Sequence, residues 1–137
     1  MAAIKELIRI EENGTLSFGD NTLQAKAKKD NFEFEGDIYK VKTFSEITKL
    51  EKNGMFLFEA VPGAVVKEMK VSGDTAVLNV YGKADVQMTF GLEPEGTYQV
   101  YVDGDSVGEM TTNISGKLSI SAELSDEIST EIKIVRR

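Results

Sequence analysis

From Val86 to Ile134, hydrophobic residues recur at every second position between evenly spaced reverse-turn signals, and this combination constrains the fold more than any other feature. Val86, Met88, Phe90 and Leu92 alternate with Gln87, Thr89 and Gly91, as a strand with one buried face requires. Pro94 and Gly96 then interrupt the strand, because proline removes a ladder donor and glycine reaches backbone angles that other residues avoid. Tyr98 to Val102 resumes the extended pattern, and Asp103-Gly104 signals a hairpin, since the tight turns that match strand twist need positive φ. Val107 to Thr112 follows, then a turn at Asn113-Ile114-Ser115-Gly116 with the spacing of type I. Leu118, Ile120, Ala122 and Leu124 alternate with Ser119, Ser121 and Glu123, and Ser125-Asp126-Glu127 turns the chain into a last strand carrying Ile132 and Ile134. The stretch reads as a meander of antiparallel strands.

The earlier part of the chain follows the same grammar. Asn13-Gly14 separates Ile4–Ile10 from Thr15–Phe18 and favours a hairpin. Aligning Ile4–Phe18 with Phe44–Phe58, a shift of 40 residues, gives five identities in fifteen positions: Glu6/Glu46, Glu11/Glu51, Asn13/Asn53, Gly14/Gly54 and Phe18/Phe58. Either a hairpin is duplicated or two Asn-Gly hairpins converge on similar chemistry. Asp20 to Asn31 is polar and bears Lys26, Lys28 and Lys29, as a long loop or an exposed edge strand would. Phe32–Phe34 and Ile38–Lys42 flank a Glu35-Gly36-Asp37 turn. Thr43-Phe44-Ser45-Glu46 has the form of a helix capping box, so a short helix competes over 43–52; the internal match favours a strand. Met55-Phe56-Leu57-Phe58 is apolar on both faces, as expected of a central strand covered from two sides. Pro62-Gly63 ends it, and Ala64–Val71 with Thr75–Tyr81 forms a hairpin around Ser72-Gly73-Asp74. The pattern predicts an all-β protein, an antiparallel β-sandwich of roughly ten short strands, as a single domain over 1–137.

Composition narrows the function. At 137 residues, with 41% hydrophobic and 28% charged residues, the chain suits one globular domain. Sixteen Lys and Arg against 23 Asp and Glu leave a net charge of −7, the wrong sign for tracking a phosphate backbone or an anionic bilayer. No nucleic-acid or membrane partner is expected. Charges begin at Lys5, too early for a secretory leader, and no apolar run approaches a membrane span; a cytoplasmic location and a complete small protein are the expectation.

The run Leu92-x-Pro94-x-x-x-Tyr98-x-Val100 resembles the corner before strand F of fibronectin type III and related immunoglobulin-like sandwiches. The resemblance implies that the Tyr98 hydroxyl bonds back to the preceding corner. The continuation through Val102-Asp103-Gly104, Val107-Gly108, Thr111-Thr112, Gly116, Leu118 and Ile120 is similar to small β-sandwich accessory modules at the ends of bacterial polysaccharide-degrading enzymes. The core tryptophan of the fibronectin pattern is missing. Over its whole length the chain is similar to small all-β proteins of anaerobic bacteria, some labelled endosialidase. That label implies an arginine cluster around a substrate carboxylate, whereas the sequence has Arg9, Arg136 and Arg137, the last two at an end prone to fraying.

With no His and no Cys, the commonest general base, the thiol nucleophile and the usual zinc ligands are missing. A carboxylate pair would still serve a glycosidase, and Glu59 and Glu68 are candidates by position. Asp103-Gly104-Asp105 lacks the spacing of a calcium loop and reads as a solvated turn. No cofactor or metal is expected. Met55, Met69, Met88 and Met110 read as core filler. Tyr101, out of phase with Val100 and Val102, faces outward, and with Tyr81 and Tyr39 it is a candidate for a ligand or subunit contact. The leading expectation is a non-enzymatic, self-associating or protein-binding sandwich, a homo-oligomer. The alternatives are a carbohydrate or cell-surface binding module with a glycan partner, and a glycosidase-like enzyme using two carboxylates.

Overall fold

The computed structural model describes residues 3–137. Thirteen strands form two antiparallel sheets that face each other as a sandwich, and no helix is present among the described residues. In chain order the strands are β1 (Ile8–Ile10), β2 (Leu16–Phe18), β3 (Ala27–Phe34), β4 (Asp37–Phe44), β5 (Ile47–Lys52), β6 (Met55–Val61) and β7 (Val65–Ser72). They continue with β8 (Thr75–Tyr81), β9 (Asp85–Gly91), β10 (Thr97–Val102), β11 (Asp105–Thr111), β12 (Lys117–Glu123) and β13 (Thr130–Arg136). One sheet has the order β1-β2-β7-β8-β13-β10-β11 and the other β12-β9-β6-β5-β4-β3. The first hairpin contributes two strands of only three residues, and the lysine-bearing stretch runs on into Phe32–Phe34 as the edge strand β3. No helix is long and apolar enough to cross a membrane among the described residues.

The alternation read from the sequence becomes the core. Val86, Met88 and Phe90 of β9, Leu118 and Ile120 of β12, and Ile132 and Ile134 of β13 are all buried. Phe18 meets Phe58 edge-on across the sandwich at 5.7 Å between ring centroids, and Phe58 meets Phe90 at 5.3 Å, an arrangement that sets ring edges against ring faces. Residues 47–52 form strand β5, and the capping-box sequence before them does not start a helix, because Thr43 and Thr48 turn their hydroxyls inward and bond each other at 2.8 Å.

Two expectations need correcting. The region after Val86 is no meander. The β9–β10 connection carries the chain from the six-stranded to the seven-stranded sheet, and only β10 and β11 form a local hairpin there. Met55–Phe58 lies in the middle of its sheet but is not covered on both faces, since Met55 is 72% exposed. Its pairing with β5 is irregular: Leu50 opposes Phe58 and Glu51 opposes Phe56, which leaves Leu57 as an extra residue. Such a bulge shifts the side-chain phase, so Phe56 joins Glu51 on the outer face. The aligned Asn-Gly pairs also differ in use. Asn53 and Gly54, with φ of 53° and 78°, make a two-residue turn, whereas β1 and β2 are joined by a longer loop closed by the Glu11 N–H bond to Thr15.

The corner before β10 holds as the resemblance implied. The Glu93 N–H donates to the Tyr98 hydroxyl at 3.1 Å. Thr112 ties the same corner from the other side, accepting from the Gly96 N–H at 2.8 Å and donating to the Glu93 carbonyl at 2.6 Å. The chain end is ordered, not frayed: the Arg136 N–H donates to Asp74 and the Arg137 N–H to Thr97.

Candidate binding site

At one end of the sandwich the sheets part. There β6, β8, β10 and β12 begin while β7, β9 and β13 end, leaving an open cleft of about 540 Å³, within the range of small-ligand sites. Its floor includes Leu57, Leu92, Tyr98 and Ile134, and its rim bears Lys52, Lys117 and Arg136 with Asp74 and Glu93. The Lys117 Nζ lies 4.6 Å from the centre of the Phe56 ring, reaching it over Gly91, its directly paired neighbour. The Arg136 guanidinium stands 6.0 Å from the Tyr98 ring. These cations rest on aromatic faces, and Lys52 is paired with Asp37 at 3.4 Å. Two apolar side chains, Met55 and Val71 (72% and 58% exposed), also line the cleft, and Ile114, next to the lining residue Ser115, is 81% exposed.

The residues singled out in the sequence fall elsewhere. Tyr39 is buried on β4, 6.0 Å from the Phe34 ring. Burial pushes its phenol pKa up, with Asp37 and Glu35 adding to the effect. Tyr81 and Tyr101 are half-buried on the outer face of the other sheet, on strands β8 and β10 separated by β13, with Lys67 and Lys133 over their rings. The three tyrosines therefore form no continuous row. Glu59 and Glu68 belong to different sheets, and neither lines the cleft. Glu68 sits at a bulge in β7, where its N–H donates to Ser17 and its carboxylate accepts from Asn13. The Asp103 carboxylate accepts from the Glu131 N–H at 2.8 Å, so it ties the β10–β11 turn to β13. Arg9, on edge strand β1, lies several strands from Arg136 and is occupied by Glu6 and Glu11. Of the methionines, Met69 and Met88 are buried and Met110 is partly so, while Met55 is not core filler.

The sheet edges are the second surface of interest, since an open edge offers unpaired backbone donors and acceptors. Three of the four edges carry a guard. β1 is three residues long, β3 is broken by a bulge between Lys29 and Phe32, and β11 is broken where Val107 is inserted opposite Val100 and Tyr101. The fourth, β12, pairs with β9 without interruption from Lys117 to Glu123 and has neither bulge nor proline. Its outward residues are Lys117, Ser119, Ser121 and Glu123, all exposed. The clean alternation of β12 was legible in the sequence, but its place at an edge was not.

Searches against protein-family models, curated proteins and solved structures give no match for this chain.

Proposed function

We propose that this chain is a non-enzymatic binding sandwich that associates with itself or with another protein through strand addition. The observation that carries the reading is the regular edge of β12, free of bulge and proline, beside three that are short or broken by a bulge. Strand addition draws affinity from main-chain hydrogen bonds and specificity from alternate side chains, and β12 supplies both without rearrangement. The exposed apolar residues at the cleft mouth extend the surface available to a partner. Light scattering on a size-exclusion column across a wide concentration range tests the reading. A mass that rises with concentration is expected, and a strict monomer at the highest concentration, together with no partner captured by β12, would remove it.

The cleft favours a second reading, a carbohydrate or cell-surface ligand module. Its volume and its cation-covered Phe56 suit a ligand with an apolar face and an acidic group. Titration of amide resonances with neutral and acidic oligosaccharides tests it, with shifts expected around Phe56 and Tyr98 and lost in F56A. Asp74 and Glu93 are the carboxylates a hydrolytic reading has to use. Hydrolysis of an oligosaccharide by the purified protein, abolished in D74N or E93Q, would overturn the non-enzymatic reading.

A further inference from the structure

The free edge of β12 has a definite polarity and length. In an antiparallel strand the N–H and C=O of one residue point to the same side, and successive residues alternate. Just beyond the two ends of β12, Gly116 accepts from the Leu92 N–H and the Leu124 N–H donates to Ala84, so even-numbered residues turn toward β9. Odd-numbered residues turn outward. At Lys117 the outward groups are already used: its C=O accepts from the Asn113 N–H at 3.1 Å, and its N–H donates to the Asn113 side chain at 2.9 Å. Asn113 therefore occupies the place of a neighbouring strand at this end. What remains open is the backbone of Ser119, Ser121 and Glu123.

We infer that this edge takes a second copy of the same chain, antiparallel, about a two-fold axis at Ser121. The inference rests on the self-association reading above and adds its partner and register. With Ser121 facing Ser121 of the second copy, Ser119 faces the second copy's Glu123, and the reverse. All three outward-pointing pairs are then matched, exchanging about six hydrogen bonds, as directly opposed residues do in a narrow pair. Shifting the axis to Ile120 places the second copy's Glu123 on Asn113. Shifting it to Glu123 sets the two Glu123 carboxylates side by side, which opposed like charges disfavour. In the register at Ser121 each Glu123 lies diagonal to Lys117 of the other copy, within reach of a long side chain. The opposed side chains at the axis are small hydroxyls that let the backbones meet. Leu118, Ile120 and Ala122 stay on the inner face, so the two six-stranded sheets become one. A contact of one short strand lies at the low end of interface sizes, below about 1,200 Å², so the dimer is weak and concentration-dependent.

Because the chain contains no cysteine, single thiols report the register. Under mild oxidation at high concentration S121C is expected to give a covalent dimer, S119C and E123C alone are not, and S119C mixed with E123C is. In S121P the lost N–H is one that points to solvent, where proline is tolerated on an edge. This variant is expected to keep its β-sheet circular dichroism and to remain monomeric at concentrations where the parent dimerises. Cross-linking of S119C equal to that of S121C, or a folded S121P that still dimerises, overturns the register while leaving self-association standing. A parent chain that stays monomeric and an S121C that never cross-links overturn both.

Discussion

At the scale of single residues, the best-supported piece of the fold is a buried polar knot. Thr43 Oγ1 accepts from the Asp20 N–H at 3.0 Å and bonds Thr48 Oγ1, while Thr48 donates to the Ala64 carbonyl at 2.8 Å and accepts from the Ala64 N–H at 3.1 Å. One hydroxyl thus closes both backbone groups of Ala64 and joins β5 to the segment that enters β7. A buried group left without its partner costs about 1–3 kcal/mol, and T48V, equal in shape, strands several. The variant is expected to lose about 2–4 kcal/mol in urea unfolding, whereas T89V, whose hydroxyl meets Ser119 at the exposed face, should change stability by less than about 0.5 kcal/mol. The knot was not legible in advance. Thr43 and Thr48 look like ordinary strand threonines, and the capping-box reading of Thr43 pointed to a helix. Glu11 belongs to the same scale. The Ser17 hydroxyl bonded to it, with Arg9 beside it, holds its carboxyl below the usual carboxylate range. A carboxyl whose folded pKa is depressed adds stability above its unfolded pKa, and that contribution is lost as pH falls through the folded value. Parent protein is therefore expected to weaken between about pH 5 and pH 2 more steeply than E11Q, as urea midpoints measured down the pH series would show.

At the scale of elements, turns were the most legible feature and bulges the least. Asn53-Gly54, Asp103-Gly104 and Gly73 all adopt the positive φ their sequences signalled, and each closes a hairpin. Bulges leave no comparable mark. Met55-Phe56-Leu57-Phe58 reads as continuous core, and only the pairing with Leu50 and Glu51 shows that Leu57 is the inserted residue and Phe56 the outward one. The cleft follows from that shift. Phe56 meets Lys117 only because it has left the core side and because Gly91, between them in the sheet, has no side chain. Two turn glycines separate conformation from packing. Gly104 has φ of 85° and open space where a Cβ would lie, whereas Gly116 has φ of 81° and a Cβ there would stand 2.2 Å from the Leu92 carbonyl oxygen. An L-residue in the left-handed region costs about 1–2 kcal/mol. G104A is expected to lose about that much, and G116A more, because the Gly116–Leu92 backbone bond that starts the β12 ladder also has to give way. Chemical denaturation of the pair checks the difference.

At the scale of the molecule, alternation announces a strand and its buried face but says nothing about which sheet receives it. Val86-Met88-Phe90 and Val100-Val102 look equivalent in sequence, yet they belong to opposite sheets, because the corner from Leu92 to Gly96, tied by Tyr98 and Thr112, carries the chain across. The same limit hid the position of the last strand. β13 lies inside the seven-stranded sheet between β8 and β10, so the final residues join two segments that the rest of the chain leaves apart. Ile132 and Ile134 are fully buried there. Truncating one such side chain to alanine costs about 2–5 kcal/mol, against a total stability of about 5–15 kcal/mol for a domain. I132A is accordingly expected to remain folded with a lowered urea midpoint. Removing residues 130–137 takes away both isoleucines and both flanking ladders at once, a loss of the same order as the total. That truncated chain is expected to show the narrow amide dispersion of an unfolded polypeptide, and a dispersed, β-type spectrum from it would mean that β8 and β10 can close the sheet directly, contrary to the topology.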